Sequence, residues 1–433
     1  MDISVAPEFQ EKLDWMNVFV REECEVMDLL FPGHSIMYDG SNAKARAHLK
    51  PLQERVKEKG LWACHLGPNL GGPGYGQLKL ALMNEILGRS SWAPTVFGTA
   101  APDTGNAEIL ALFGTKMQKA KYLAPLMAGE ICSSFAMTEP QGGSDPLGFT
   151  SKAHRDGDEW VINAEKWFIS NAKLAAFYIV MAITNPENKP HERMSMFLVD
   201  AKTPGIAILH NCAMVGEDPE NGSHAHMRFA NVRVPLDAML GGAGEGFKVA
   251  QARLGGGRIH HAMRSVGRCQ RAIDMMLERA VTRTTKGRKL GDHQFVQGKL
   301  ADSIVQLEQF RLLVLKTAWI IDEVEAGRKP HGAARPHIAM CKIAMAKVLH
   351  DVMERAVELH GSIGLTYDTW LGPFWAGVMG VAFADGPTDI HRVQLAKHFM
   401  SLTKPAKPPG YFPTDHNPTR LAEALARYPN ARP

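Results

Sequence analysis

Phe135-Ala-Met-Thr-Glu-Pro-Gln-Gly-Gly-Ser-Asp145 stands where the chain changes its periodicity, and that change decides the fold. Upstream, apolar residues recur in steps of three and four at Phe9, Leu13, Met16, Val20, Cys24, Met27 and Phe31, one helical face stopped by Pro32-Gly33. Helical patterns follow over Leu49–Lys59, Leu78–Leu87 and Met117–Met127, ended by Gly60, Gly88 and Gly129. From about Ser133 the segments are short, β-branched and aromatic: Trp160–Ile162, Phe177–Ile183, Met194–Val199, Gly205–Leu209 and His226–Val234, parted by turns such as Asp156-Gly157-Asp158. Beyond Gly241–Gly246 long amphipathic helices return. Their stripes are Ala262, Val266, Cys269, Ile273, Met276 and Ala280, then Leu300, Ile304, Leu307, Val314, Ala318 and Ile321, then Met345, Leu349, Val352, Ala356 and Leu359. The reading is an α+β chain with an N-terminal helical domain (1–132), a middle antiparallel β-barrel or sandwich (133–240) and a C-terminal helical bundle (241–402). A proline-rich tail (403–433) follows, with one short helical segment at Thr419–Arg427.

The chain has 433 residues, enough for two or three cores, with 45% hydrophobic and 22% charged residues, an ordinary globular composition. Lys and Arg (49) barely exceed Asp and Glu (45), so no general attraction to nucleic acid or anionic membrane is expected, and any basic site is local. Six scattered cysteines form no Cys-x-x-Cys pair, which argues against a disulfide framework or structural zinc and suits a reducing, cytoplasmic compartment. The N-terminus reads as neither signal peptide nor anchor, and no apolar run approaches membrane-spanning length, so no membrane insertion is expected.

Three stretches carry chemistry. In Phe135–Asp145, the hydroxyls of Thr138 and Ser144 flank Gly142 and Gly143, offering donors and close backbone approach to an anionic ligand, or simply a connecting loop. Glu165-Lys-Trp-Phe-Ile-Ser-Asn171 sets two aromatics beside a hydroxyl, a wall suited to a flat heteroaromatic ring and equally to a β core. Ala384-Asp-Gly-Pro-Thr-Asp-Ile-His391 delivers a carboxylate out of the apolar run Val378–Phe383 into a Gly-Pro turn. Asp385 is there a turn starter or, if the run is packed and dry, a general base. The basic run Arg283, Lys286, Arg288, Lys289 reads as a solvated helix end or a phosphate site. His224-Ala-His226 lacks a third ligand at a nearby spacing, so no metal is expected, and His260-His261 is a substrate contact or a structural pair. No Gly-x-Gly-x-x-Gly β-α-β unit and no Walker-type Gly-Lys-Ser/Thr occur.

Thr138-Glu-Pro-Gln-Gly-Gly-Ser-Asp145 with Lys166-Trp-Phe-Ile-Ser170, in this α, β, α order, resembles the flavin-dependent acyl-CoA dehydrogenase family. The likeness spans roughly residues 9–400 and includes Gly71-Gly72-Pro-Gly74, Gly114-Thr-Lys-Met-Gln118 with Lys121-Tyr-Leu, Arg283 with His293-Gln294, and His360-Gly361. The resemblance implies FAD. Phe135 and Thr138 would border its isoalloxazine ring, Phe168 would face it where the family usually has Trp, and Ser170 would bond to its reactive edge. Ser144 would serve the flavin phosphates or the acyl-CoA, while Arg283, Thr285, Gln294 and Gly361 would hold the far half of an FAD in a neighbouring subunit. A homodimer or homotetramer is therefore implied.

The same resemblance makes Asp385 the catalytic base, with Gly386 and Arg258 beside the substrate. Most members carry Glu before a Gly-Thr pair at that position, and some place the base on the earlier helix, where this chain has Gly257. Asp in Ala-Asp-Gly-Pro, with His391 nearby, is similar to the subgroup of acyl-CoA dehydrogenase family members 10 and 11. Lys286, Glu358 and Ser362 depart from the family's Phe, Gln and Gly. The implied reaction is dehydrogenation of an acyl-CoA to trans-2-enoyl-CoA, with an electron-transfer flavoprotein as acceptor. Rivals are elimination and isomerisation on a 4-hydroxyacyl-CoA, nitroalkane oxidation, and a flavin-free scaffold.

Overall fold

The computed structural model describes residues 3–32, 42–403 and 418–431. Gly33 and the proline-rich stretch 404–417 lie outside them. Among the described residues nine α-helical segments precede the sheet: α1 (Pro7–Phe19), α2 (Glu25–Leu30), α3 (Ala43–Ala47), α4 (Leu49–Glu58), α5 (Gln77–Leu87), α6 (Ala93–Val96), α7 (Asp103–Phe113), α8 (Lys116–Gln118) and α9 (Ala124–Met127). The strands are β1 (Cys132–Ala136), β2 (Lys152–Asp156), β3 (Glu159–Ser170), β4 (Ala175–Ile183), β5 (Met194–Asp200), β6 (Ile206–Cys212), β7 (His224–Pro235) and β8 (Met239–Leu240). Then come α10 (Gly246–Thr282), α11 (Gln294–Glu325), α12 (Arg335–His360), α13 (Leu371–Gly377), α14 (Gly380–Phe383), α15 (Thr388–Leu402) and α16 (Pro418–Arg427). Among the described residues no helix is long and apolar enough to cross a membrane.

The first helix keeps its stripe by a local distortion. Met16, Val20 and Cys24 are four residues apart, and a π turn over Val20–Cys24 keeps both ends of that interval buried. The expected stripe of α11 needs one correction: Ile304 is 42% exposed, and Ser303 takes the inward place. The Ser303 hydroxyl tolerates burial because it donates to the Lys299 carbonyl at 2.7 Å.

The sheet runs β6-β7-β3-β2-β4-β5-β8 and stays open, so the barrel alternative is not realised. Nor is it wholly antiparallel: β1 lies parallel to β4, and β2 meets β4 through a single parallel pair, Lys152 with Ile183. That narrow join lets two halves fold over one apolar layer, with Ile162, Ala164, Met227 and Phe229 facing Val180, Phe197 and Val199. The opposite face of β4 and β5, with Phe177, Ile179, Met181 and Leu198, packs on Ile109 and Leu110 of α7 and Val249 of α10. Burial on both faces explains why Phe177–Ile183 is an unbroken apolar run. Strand β2 escapes sequence reading because only Ala153 of its five residues is buried.

Helices from both ends of the chain share one core, in which Leu80 and Leu87 of α5 join Val266 and Ile273 of α10, Val314 of α11 and Leu349 of α12. α5 and α10 touch through glycine. A Cβ on Gly267 would lie 1.9 Å from the Glu85 carbonyl oxygen, and one on Gly88 2.0 Å from that of Arg264. This crossing fixes α10, the helix that carries much of the site. Gly267→Ala is expected to force the two backbones apart and lower the unfolding free energy by about 3 kcal/mol, read by chemical denaturation.

Candidate active site

The loop after β1 is tied to β3 by a buried ion pair. Lys166 is fully buried, its Nζ 2.8 Å from Glu139 Oε1 and 3.0 Å from the Met137 carbonyl oxygen. Glu139 also accepts the main-chain N–H groups of Thr150 at 2.6 Å and Ser151 at 3.1 Å. Burial opposes its charge, yet the Lys166 ammonium and these donors outweigh it and hold the carboxyl at about 2. Burial lowers Lys166 to about 8, and the charge of Glu139 and its hydrogen bond oppose that shift. Two further bonds complete the unit: Trp167 N–H donates to the Thr138 carbonyl at 2.9 Å, and Ser134 Oγ to the Ser170 carbonyl at 2.6 Å.

Phe135, Thr138, Phe168 and Ser170 therefore stand on one assembly. The β3–β7 register slips between Lys166 and Ile169, and inside that bulge Phe168 adopts a left-handed φ of 54°. The distortion turns its ring outward, 47% exposed and stacked on Trp167 at 4.9 Å. An exposed aromatic plane held on a strained backbone fits a flat flavin ring better than it fits a β core. Ser144 lies in the exposed loop beyond.

A second group occupies the connection from α10 to α11. Arg283 follows α10, Thr285 pairs with Arg288 in a two-residue hairpin, and Gln294 opens α11. Gly361, with a φ of 71°, ends α12, and Arg279 Nη2 donates to the adjoining His360 carbonyl at 3.3 Å, linking the two turns. The exposed Arg283, Lys286, Arg288 and Lys289 suit a diphosphate. Glu358, where the family has Gln, is engaged by Lys299.

Asp385 forms the third centre, and its setting differs from expectation. Val378 and Val381 are buried, but Met379 and Phe383 are 52% and 64% exposed, because α14 covers α12 with one face only. The Asp385 side chain itself is 16% exposed. Its φ of 55° is left-handed, and no described residue accepts a hydrogen bond from its main-chain N–H. The segment is gripped from three helices. Arg258 Nε of α10, a residue expected at the substrate, donates to the Asp385 carbonyl at 2.9 Å. Lys342 of α12 donates to the Val381 carbonyl. Burial lowers Lys342 to about 8, opposed by the charge of Asp385. His391 of α15 lies against Gly386, and burial, then Arg258 and Lys342, push its ring down to about 4.

The carboxylate rests on a gap in α10. A Cβ on Gly257 would come within 2.6 Å of Asp385 Oδ2, so any side chain at 257 would have to shift the carboxylate. One turn on, His261 Nε2 lies 3.5 Å from the same oxygen. A Cβ on neighbouring Gly256 would meet Glu108 Oε2 of α7 at 3.1 Å. Burial raises Glu108 to about 7 despite Arg253, whose guanidinium sits 4.1 Å from the Phe135 ring centroid. The His pair thus divides: His261 faces Asp385, while His260 is buried, with Nε2 lacking a partner among the described residues. Sequence reasoning gave no role to Glu139, Lys166, Glu108, Arg253 or Lys342. One signal was available for Glu108: three successive glycines inside a long helix cost about 1 kcal/mol each, and so announce close neighbours. His224 and His226 take protein partners, Ser223 Oγ at 2.6 Å and Glu165 Oε1 at 2.7 Å.

Removing one charge of the Glu139–Lys166 pair strands the other away from water. Glu139→Gln is expected to cost about 3–5 kcal/mol in unfolding free energy, and Glu139→Gln with Lys166→Met clearly less, measured by denaturant titration of both variants.

Comparison with known proteins gives the same answer across all three blocks. Family models for the acyl-CoA dehydrogenase N-terminal, middle and C-terminal domains match residues 37–130, 134–232 and 244–400. The chain is 39% identical over 362 residues to the probable acyl-CoA dehydrogenase FadE2 of Mycobacterium tuberculosis, covering 82% of this chain and 86% of that one. It is 37% identical to acyl-CoA dehydrogenase family member 11 of Rattus norvegicus, with 83% of this chain matched but only 46% of the relative's length. The solved structure of a putative acyl-CoA dehydrogenase from Mycobacterium abscessus superposes with a TM-score of 0.84 at 33% identity, covering 92% of this chain and 99% of that one. These matches set aside the flavin-free scaffold and support FAD as the cofactor. The chain belongs to the acyl-CoA dehydrogenase family of FAD-dependent oxidoreductases.

Proposed function

We propose that this protein converts an acyl-CoA thioester to its trans-2-enoyl-CoA with Asp385 as the base that removes the α-proton. The observation that carries the reading is the packing of Asp385 Oδ2 over Gly257, with the segment held by Arg258 and Lys342. A carboxylate fixed in this way needs little reorganisation to meet a weakly acidic C–H bond. The unpartnered N–H of Asp385 supplies a donor for the thioester oxygen as negative charge develops there. Bound FAD supplies the two-electron acceptor for the β-hydride. The stacked Phe168 and Trp167, with Thr138 and Ser170, would hold its ring. Arg283, Thr285, Gln294 and Gly361 would hold the distal half belonging to a second subunit. Exposed Val393, Phe399, Met400 and Leu402 on α15 support a homodimer or homotetramer. An electron-transfer flavoprotein in a reducing, cytoplasmic setting completes the reading. All six cysteines are free thiols, in keeping with such a compartment.

A second reading has one observation in its favour. Burial raises Glu108 to about 7, and it and Asp385 approach successive glycines of α10, Gly256 and Gly257, so two carboxyl groups come to the same turn of that helix. Such a pair suits elimination and isomerisation on a 4-hydroxyacyl-CoA.

An anaerobic screen of flavin bleaching over saturated and 4-hydroxylated acyl-CoAs separates the two. Saturated substrates are expected to bleach the wild type, and Asp385→Asn holoprotein to bleach at least about 10³-fold more slowly. Turnover of hydroxylated substrates alone favours the second reading, and undiminished bleaching by the Asn variant removes Asp385 as base. Gly257→Ala, which crowds the carboxylate aside but keeps the acid, is expected to slow bleaching about 10- to 100-fold while FAD content and melting temperature stay near wild type.

A further inference from the structure

Asp has one methylene fewer than Glu, and one oxygen of the Asp385 side chain lies against α10. Oδ2 lies in the groove of α10 between Gly257 and His261, positions four apart on one helix face. Arg258 Nε is engaged by the main-chain carbonyl of Asp385, and Lys342 by that of Val381, so these two cations fix the backbone of the segment. His261 Nε2 is the group 3.5 Å from the carboxylate itself. The ring is poorly placed to carry charge: it is partly buried, and the cations Arg264, Arg268 and Arg253 of α10 and Lys342 of α12 act on it, with the Asp385 carboxylate 3.5 Å away. Burial, then those cations, hold it well below the ordinary histidine range. A neutral imidazole with a proton on Nε2 donates to a carboxylate without neutralising it.

We propose that His261 is a positioning residue for the base. Its Nε2–H holds Asp385 Oδ2 against α10 and leaves Oδ1 turned to the α-hydrogen of the acyl group. The inference rests on Asp385 as base and goes beyond it, since nothing in that reading requires a histidine. It also accounts for the His260-His261 doublet: successive helix positions diverge, so one ring reaches the acid and the other enters the core.

The test compares His261→Phe, His261→Gln and Asp385→Asn holoproteins by stopped-flow anaerobic bleaching, using an acyl-CoA that bleaches wild type and its α-deuterated form. His261→Phe keeps a flat ring without the donor. It is expected to lower the limiting rate about 10- to 100-fold, leave the acyl-CoA dissociation constant within about twofold, and enlarge the α-deuterium isotope effect. His261→Gln, which restores an N–H donor, is expected to recover most of the rate. Wild-type rates in the Phe variant overturn the proposal, as does a loss of rate that Gln does not recover and that leaves the isotope effect unchanged. If the Phe variant does not retain FAD, His261→Ala with added imidazole takes its place, and absence of rescue overturns the proposal. Inert Asp385→Asn beside a fully active His261→Phe would refute the positioning role alone, whereas active Asp385→Asn refutes the base reading on which it stands.

Discussion

Burying an ammonium beside a carboxylate is costly unless each finds further partners, and the Glu139–Lys166 pair meets that condition on both sides. Glu139 gathers the main chain of the segment after the loop, and Lys166 gathers the end of β1. The loop from Thr138 to Asp145, which otherwise lies exposed, is thereby held to a strand whose next residues are distorted. The bulge that turns Phe168 outward is possible because Lys166 before it and Ile169 after it are both buried. One electrostatic contact thus keeps a strained strand end and a glycine-rich loop in register.

The second constraint is the helix α10, which glycine allows two different kinds of approach. At Gly267 it lets another backbone come close and so sets the angle of the bundle. At Gly256 and Gly257 it lets carboxylates come close and so builds the chemical centre. Glycine weakens a helix on its own account, and the shared core along Ala262, Val266, Cys269 and Ile273 offsets the loss.

The sequence made the block order, the stripes of α1, α10 and α12, and five of the strands legible because each rests on local periodicity. Strand β2, with its single buried alanine, has no such signal, and Ile304 could not be told from an inward residue without its neighbours. Fold closure was also out of reach, since the parallel seating of β1 on β4 is a long-range pairing. At the site, motifs pointed to Phe135, Thr138, Phe168, Ser170 and Asp385. They said nothing of Lys342 or Glu108, which come to α10 from distant helices. The apolar run before Asp385 reads as packing, although Met379 and Phe383 within it face outward. Periodicity reports which face a segment prefers, not whether a single chain provides the cover.

The contact between Asp385 and Gly257 also bears on how such a site can change over generations. A side chain at 257 and a carboxylate at 385 contend for the same volume, since even a methyl group would sit 2.6 Å from Oδ2. A side chain gained at 257 would therefore move the acid at 385, and the position of that acid would depend on a residue more than a hundred positions earlier in the chain.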